Sequence, residues 1–110
     1  MENTTAPGPS HANQPKLYGI TRADLPAGLR AAQVGHALIH WALRYGRPPE
    51  NLVLLEVPDE KALELQLARC TGCGVVPFYE PDLGDALTAF AVGPDAARVL
   101  SSLPLLLRAA

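Results

Sequence analysis

Residues 51–57 read NLVLLEV, and how these seven residues are read decides the fold. They form a nearly continuous apolar run with one acid, Glu56, near the end. A strand with one wet face alternates apolar and polar residues, whereas a run like this describes a strand covered on both faces. Such a strand needs a layer on each side, and its flanks supply helices. Upstream, residues 29–45 carry apolar positions at helical spacing and stop at GRPP, 46–49, a glycine followed by prolines. Downstream, Pro58 and the acids Asp59 and Glu60 open a second helix. Leu63, Leu67 and Cys70 recur at helical spacing along it, and Gly72 and Gly74 close it.

Further out, KLYGITR at 16–22 mixes apolar and β-favouring residues and reads as a first strand. In ADLPAGL, 23–29, Pro26 and Gly28 interrupt regular structure and mark a loop. VVPFYE at 75–80 is a third strand, with Pro77 arguing for a sheet edge or a bulge. The turn PDLGD leads to a fourth strand, ALTAFAV at 86–92. A last helix then opens at Gly93, Pro94 and Asp95 and is limited by Pro104. The order β-α-β-α-β-β-α describes an α/β domain: a small four-stranded mixed sheet with helices packed on its faces. The helical crossovers make the earlier pairs parallel where they are neighbours, and the short last turn makes an antiparallel hairpin.

The 110 residues suffice for one domain, taken as 16–110 after a leader at 1–15. That leader, MENTTAPGPSHANQP, lacks the basic start and apolar run of a signal peptide and is read as disordered. The chain has no apolar run of membrane-spanning length, so a cytoplasmic protein without a membrane partner is expected. Cys70 and Cys73, in CTGC, are then expected to be reduced. With 48% apolar and 5% aromatic residues, the core must be built mainly from Leu, Val and Ala. The net charge of −2 argues against strong nonspecific nucleic-acid binding, which rests on neutralising many phosphates. Residues 1–50 nevertheless hold five basic side chains against three acidic, and four of the five are arginines, suited to bidentate phosphate contacts.

AAQVGHALIH, 31–40, is where chemistry enters. Counting about 100° per residue from Arg30, Val34, Leu38, Trp41 and Tyr45 form one apolar face. Gln33, His36, His40 and Arg44 form a polar stripe nearly opposite it, which on the plain reading is the solvent side of a core helix. His36 and His40 have the spacing of a shared metal site, and Cys70 and Cys73 would complete four ligands. Yet Ala37 stands where a zincin has its glutamate, and no cofactor or bound metal is expected. No GxSxG, Walker or GxGxxG motif occurs. Asp24 follows the first strand, and Glu80, Asp82 and Asp85 cluster in EPDLGD, at strand ends where open α/β sheets carry function.

Several stretches taken together resemble the type II peptidyl-tRNA hydrolase family, whose members cleave the ester between a peptide and its tRNA. They are RADL at 22–25, AAQVGHA at 31–37, VPDEKAL at 57–63, and an acidic turn followed by TAFAVGP at 88–94. The resemblance runs from Lys16 to Pro94. It implies catalytic roles for Gln33, His36, Asp82 and Thr88, and tRNA or peptidyl-tRNA as partner. Arg22, Asp24, Arg30 and Arg44 are expected on the substrate-binding side. The family carries a lysine just before AAQ; here the run is PAGLR, two residues shorter, and Arg30 is the nearest cation. An arginine holds phosphate or polarises a carbonyl but stays protonated, so the base must lie elsewhere, with Asp82 or His36 positioning the water. The turn between strands three and four is also shorter than in members with a long one.

Three readings compete: an acyl-tRNA ester hydrolase, a non-catalytic tRNA-binding relative, and a metal-stabilised interaction domain using His36, His40, Cys70 and Cys73. Family members are often dimers, and the apolar tail SSLPLLLRAA at 101–110 has two candidate fates, covering a partner copy or folding back on its own sheet.

Overall fold

The computed structural model describes residues 14–107, so most of the proposed leader and the last three residues lie outside the described residues. Strand β1 is Lys16–Arg22, helix α1 Ala27–Tyr45, strand β2 Asn51–Val57 and helix α2 Glu60–Arg69. Strands β3, Val75–Glu80, and β4, Ala86–Val92, flank a 3-10 turn at Pro81–Leu83. A second 3-10 turn, Pro94–Ala96, leads into the short helix α3, Ala97–Leu100. The sheet order is β2-β1-β4-β3. β1 and β2 are parallel, joined through α1, while β4 runs antiparallel to both β1 and β3. The fold is therefore the mixed four-stranded α/β sheet that the apolar run and its flanking helices require. Among the described residues, no helix is long and apolar enough to cross a membrane.

Strand alternation sorts the core into two layers. Leu17, Ala89 and Ala91 face α1 and pack with Val34, Ala37 and Trp41. Tyr18, Ile20, Phe90 and Val92 face the other way, against Leu63 and Cys70 at α2 and Leu100 on α3. Part of the sheet side of the α1 layer is small: Ala89, Ala91 and Gly19. A Cβ added at Gly19 would lie 2.6 Å from Val34 Cγ2, so only glycine allows α1 to sit this close to β1.

β2 is an edge strand, and only part of it is covered on both faces. Leu54 packs in the α1 layer and Leu55 and Val57 in the opposite one, but Leu52 remains 51% exposed. The tail completes the cover. Glu56 N–H donates to Pro104 O at 3.0 Å and Leu106 N–H to Leu54 O at 2.9 Å, around an antiparallel bridge between Leu55 and Leu105. Through Leu107, then, the apolar tail folds back on its own sheet and pairs the β2 edge that would otherwise lie bare. β3, carrying Pro77, is the opposite edge and also takes part in a bulge.

Two features of α1 differ from the periodicity. It starts at Ala27, inside the stretch expected to be a loop, with Pro26 as the residue before its first turn and Arg30 N–H bonded to Pro26 O. A proline there loses nothing, because first-turn N–H groups have no helical partner. The helix is also turned about its axis. Its buried side is Gln33, Val34, Ala37 and Trp41, while Ile39 and Leu43 are 58% and 80% exposed. Gln33, assigned to the wet stripe by the pattern, is 2% exposed.

Candidate active site

The site is built around a β-bulge. Along β3 and β4, Phe78 pairs with Ala89 and Tyr79 with Leu87, so Thr88 is an extra residue with no partner opposite. The bulge breaks the alternation of β4. Leu87 belongs to the α2 layer and Ala89 to the α1 layer, and Thr88 between them directs its hydroxyl to α1. Backbone groups released from the ladder are taken up by side chains. Thr21 donates its hydroxyl to Thr88 O at 2.7 Å, Arg22 Nη1 donates to Leu87 O at 3.1 Å, and Glu60 Oε2 accepts from Leu87 N–H at 3.0 Å. The bulge is thus fixed by three side chains from two other elements, as a buried backbone requires.

Thr88 Oγ1 donates to Gln33 Oε1 at 2.6 Å, and Gln33 Nε2 donates to Glu80 Oε1 at 2.9 Å. The other Glu80 oxygen accepts from Asp82 N–H at 3.1 Å. Hydroxyl, amide and carboxylate form one directed chain whose orientation leaves the Gln33 amide no freedom to flip. Glu80 stands at the end of β3, and the turn after it is tight because Gly84 and Asp85 both take positive φ, a conformation Asp tolerates better than most residues. The Gln33 hydrogen bond, then the Asp82 N–H and the nearby His36 hold the Glu80 carboxyl below the usual carboxylate range.

His36 lies beside this chain, exposed, with its ring stacked on Phe78 at 4.9 Å between centroids and 9° between planes. His40 meets the same phenyl ring edge-on at 5.5 Å. Phe78, on β3, is therefore a platform that fixes two imidazoles at the mouth of the Gln33 corner.

The sequence-derived candidates divide on this geometry. Gln33, His36 and Thr88 come together. Asp82 enters through its backbone, and the carboxylate bonded to Gln33 is that of Glu80. Arg22 and Asp24 bind each other through two contacts, 2.8 and 2.9 Å, which draws Asp24 below its ordinary range. Arg30 is directed away from the corner, to Glu56 Oε1 at 3.0 Å and Leu25 O at 2.7 Å, on the β2 side of the sheet. Arg44 sits in the last turn of α1 over the Tyr45 ring, about 16 Å along the helix from Gln33 at 1.5 Å per residue. A groove of about 350 Å³ lined by Tyr18, Leu55, Leu100 and Leu105 lies on the opposite face of the sheet.

The four-ligand metal reading fails on topology. Cys70 and Cys73 pack in the α2 layer, whereas His36 and His40 lie with Phe78 on the α1 side, and the sheet stands between. Among the described residues, no three His, Cys, Asp or Glu side chains gather as a metal site. Burial and then the charge of Cys73 push the Cys70 thiol up to about 11, consistent with a packing role.

Phe78, Thr21 and the role of Glu80 were not singled out by the sequence. Glu80 stands among three acids in one short turn, and only the end of β3 and the Gln33 contact distinguish it. A search against protein-family models finds no match to this chain, and a search of curated proteins finds none.

Proposed function

We propose that the protein hydrolyses the ester linking a peptidyl or related acyl group to tRNA, at the corner formed by Gln33, Thr88, Glu80 and His36. One observation carries this reading. Gln33 and Thr88, the residues matched by two separate family-like motifs, are bonded to each other at 2.6 Å. Thr88 is wholly buried and spends its proton on Gln33, so it acts by orienting the amide rather than by touching substrate. His36, exposed at the rim, offers a ring N–H to the ester carbonyl oxygen as negative charge develops there. Phe78 limits the orientations that ring can take. No cation is needed in this arrangement, in keeping with Arg30 being engaged by Glu56.

The reading includes a cytoplasmic setting, tRNA as partner and a homodimer, the last checked by sedimentation at micromolar concentration. The assay is release of the acyl group from N-blocked aminoacyl-tRNA by purified protein, with His36→Ala and Thr88→Val alongside. Acceleration over buffer by the wild type and its loss in both variants is the expected result. Equal rates in all three sink the reading.

A second reading, a tRNA-binding relative without turnover, has its own observation. The cation nearest to the family's lysine position is tied down by Glu56 and Leu25 O. Salt-dependent tRNA binding with no release above background favours it.

A further inference from the structure

We infer that Glu80, rather than Asp82, is the carboxylate that activates the attacking water, with Gln33 as the residue that positions it; this rests on the hydrolase reading. Gln33 is almost wholly buried and has its amide oriented at both ends, by Thr88 on one side and Glu80 on the other. A buried amide fixed in this way holds the carboxylate at a set distance from the Thr88 hydroxyl. Asp82 contributes its N–H to the same carboxylate. Each Glu80 oxygen accepts one of these bonds, and an ionised carboxylate has about four acceptor sites. The remaining ones are available to a water on the exposed side, beside His36.

The chemistry balances on this one group. As the water oxygen bonds to the ester carbonyl carbon, Glu80 takes one of its protons. The bond from that carbon to the ribose oxygen then breaks, and the same proton passes to the departing ribose hydroxyl. The carboxylate ends as it began, and the acyl group leaves as the acid. The ionisable groups packed around Glu80 are His36 on α1 and, on its own turn, Asp82 and Asp85.

The test compares wild type, Glu80→Gln, Asp82→Asn and Asp85→Asn in single-turnover release from N-blocked aminoacyl-tRNA from pH 8 down to about pH 3, below the ordinary carboxylate range. Affinity for deacylated tRNA is measured on the same samples. A general base contributes roughly 100- to 10,000-fold, so Glu80→Gln is expected to lose at least about 100-fold. Its tRNA affinity stays within about twofold, and the acid limb of the rate profile, which in the wild type lies below the ordinary carboxylate range, disappears. Asp85→Asn, which removes the same charge from the same turn, keeps the wild-type rate. A merely structural Glu80 would move affinity and rate together and leave the acid limb in place, which overturns the assignment. So does a loss in Asp82→Asn larger than that in Glu80→Gln. Wild-type protein without turnover overturns the hydrolase reading itself and this assignment with it, whereas active wild type with active Glu80→Gln removes only the assignment.

Discussion

Thr88 donates its hydroxyl to Gln33 Oε1 across 2.6 Å although 55 positions separate the two in sequence. The contact exists because β4 carries one residue too many at that point, which directs Thr88 to the α1 side. Replacing Thr88 by Val keeps the β-branched shape and removes the donor, leaving a buried amide oxygen unpaired. The expected cost is about 1–3 kcal/mol, read as a lower urea midpoint at unchanged slope. Thr88→Ser, which keeps the hydroxyl, should recover most of it.

Glu80 gives the protein an acid-side dependence of known sign. Its folded-state pKa is depressed, so the native state binds its proton more weakly than the unfolded chain does. The stabilisation it brings is present above the unfolded carboxyl value of about 4.3 and is lost as pH falls through the folded value. The difference in urea midpoint between wild type and Glu80→Gln is therefore expected to shrink as pH is taken from 7 to below 4. A constant difference would show that Glu80 makes no such contribution.

Cys70 acts in the alkaline direction. With its pKa raised to about 11, it favours the folded state in full below the unfolded thiol value of about 8.5. That contribution is lost as pH rises through the folded value. At pH 8 in native conditions, alkylation is expected to reach the half-buried Cys73 first and Cys70 only at the rate of unfolding. Equal labelling of both thiols in native protein would contradict the packing of Cys70 against Leu63.

The tail is part of the sheet's edge. Deleting residues 103–110 removes the acceptor for Glu56 N–H and uncovers Leu54 and Leu55. Hydrogen exchange at the Glu56 amide should rise well above its wild-type rate, and self-association should increase through the unpaired β2 edge. Unchanged exchange would mean that the tail pairing is not maintained in solution.

The close approach at Gly19 is testable on its own. Gly19→Ala places a methyl where Val34 Cγ2 already lies, and overpacking of this kind costs about 1–3 kcal/mol. A variant as stable as wild type would show that α1 can lift from β1 without loss.

Much of this was legible because local chemistry governs it. NLVLLEV and its flanking helices define β2, and of the two alternatives Pro77 left open, the edge position is the one β3 takes at that residue. Asp59 caps α2 by accepting from Ala62 N–H, as its place before the helix suggests. The rest depends on tertiary placement. Helical periodicity places Gln33 in water because it cannot register that Thr88 and Glu80 satisfy a buried amide. From the sequence Arg30 reads as a substrate-side cation because its partner, Glu56, becomes its neighbour only once β2 lies beside β1. Choosing Glu80 over Asp82 requires the folded turn, in which Glu80 accepts from Gln33 while Asp82 contributes its N–H.

The most direct test of the central claim is single-turnover release of the acyl group from N-blocked aminoacyl-tRNA by wild type and Gln33→Leu, with tRNA binding measured alongside. Wild type is expected to accelerate release, and Gln33→Leu to lose about 100-fold or more while still binding tRNA, because removing the amide unfixes both Glu80 and Thr88. Wild-type protein that binds tRNA yet releases nothing above the buffer rate would contradict the account.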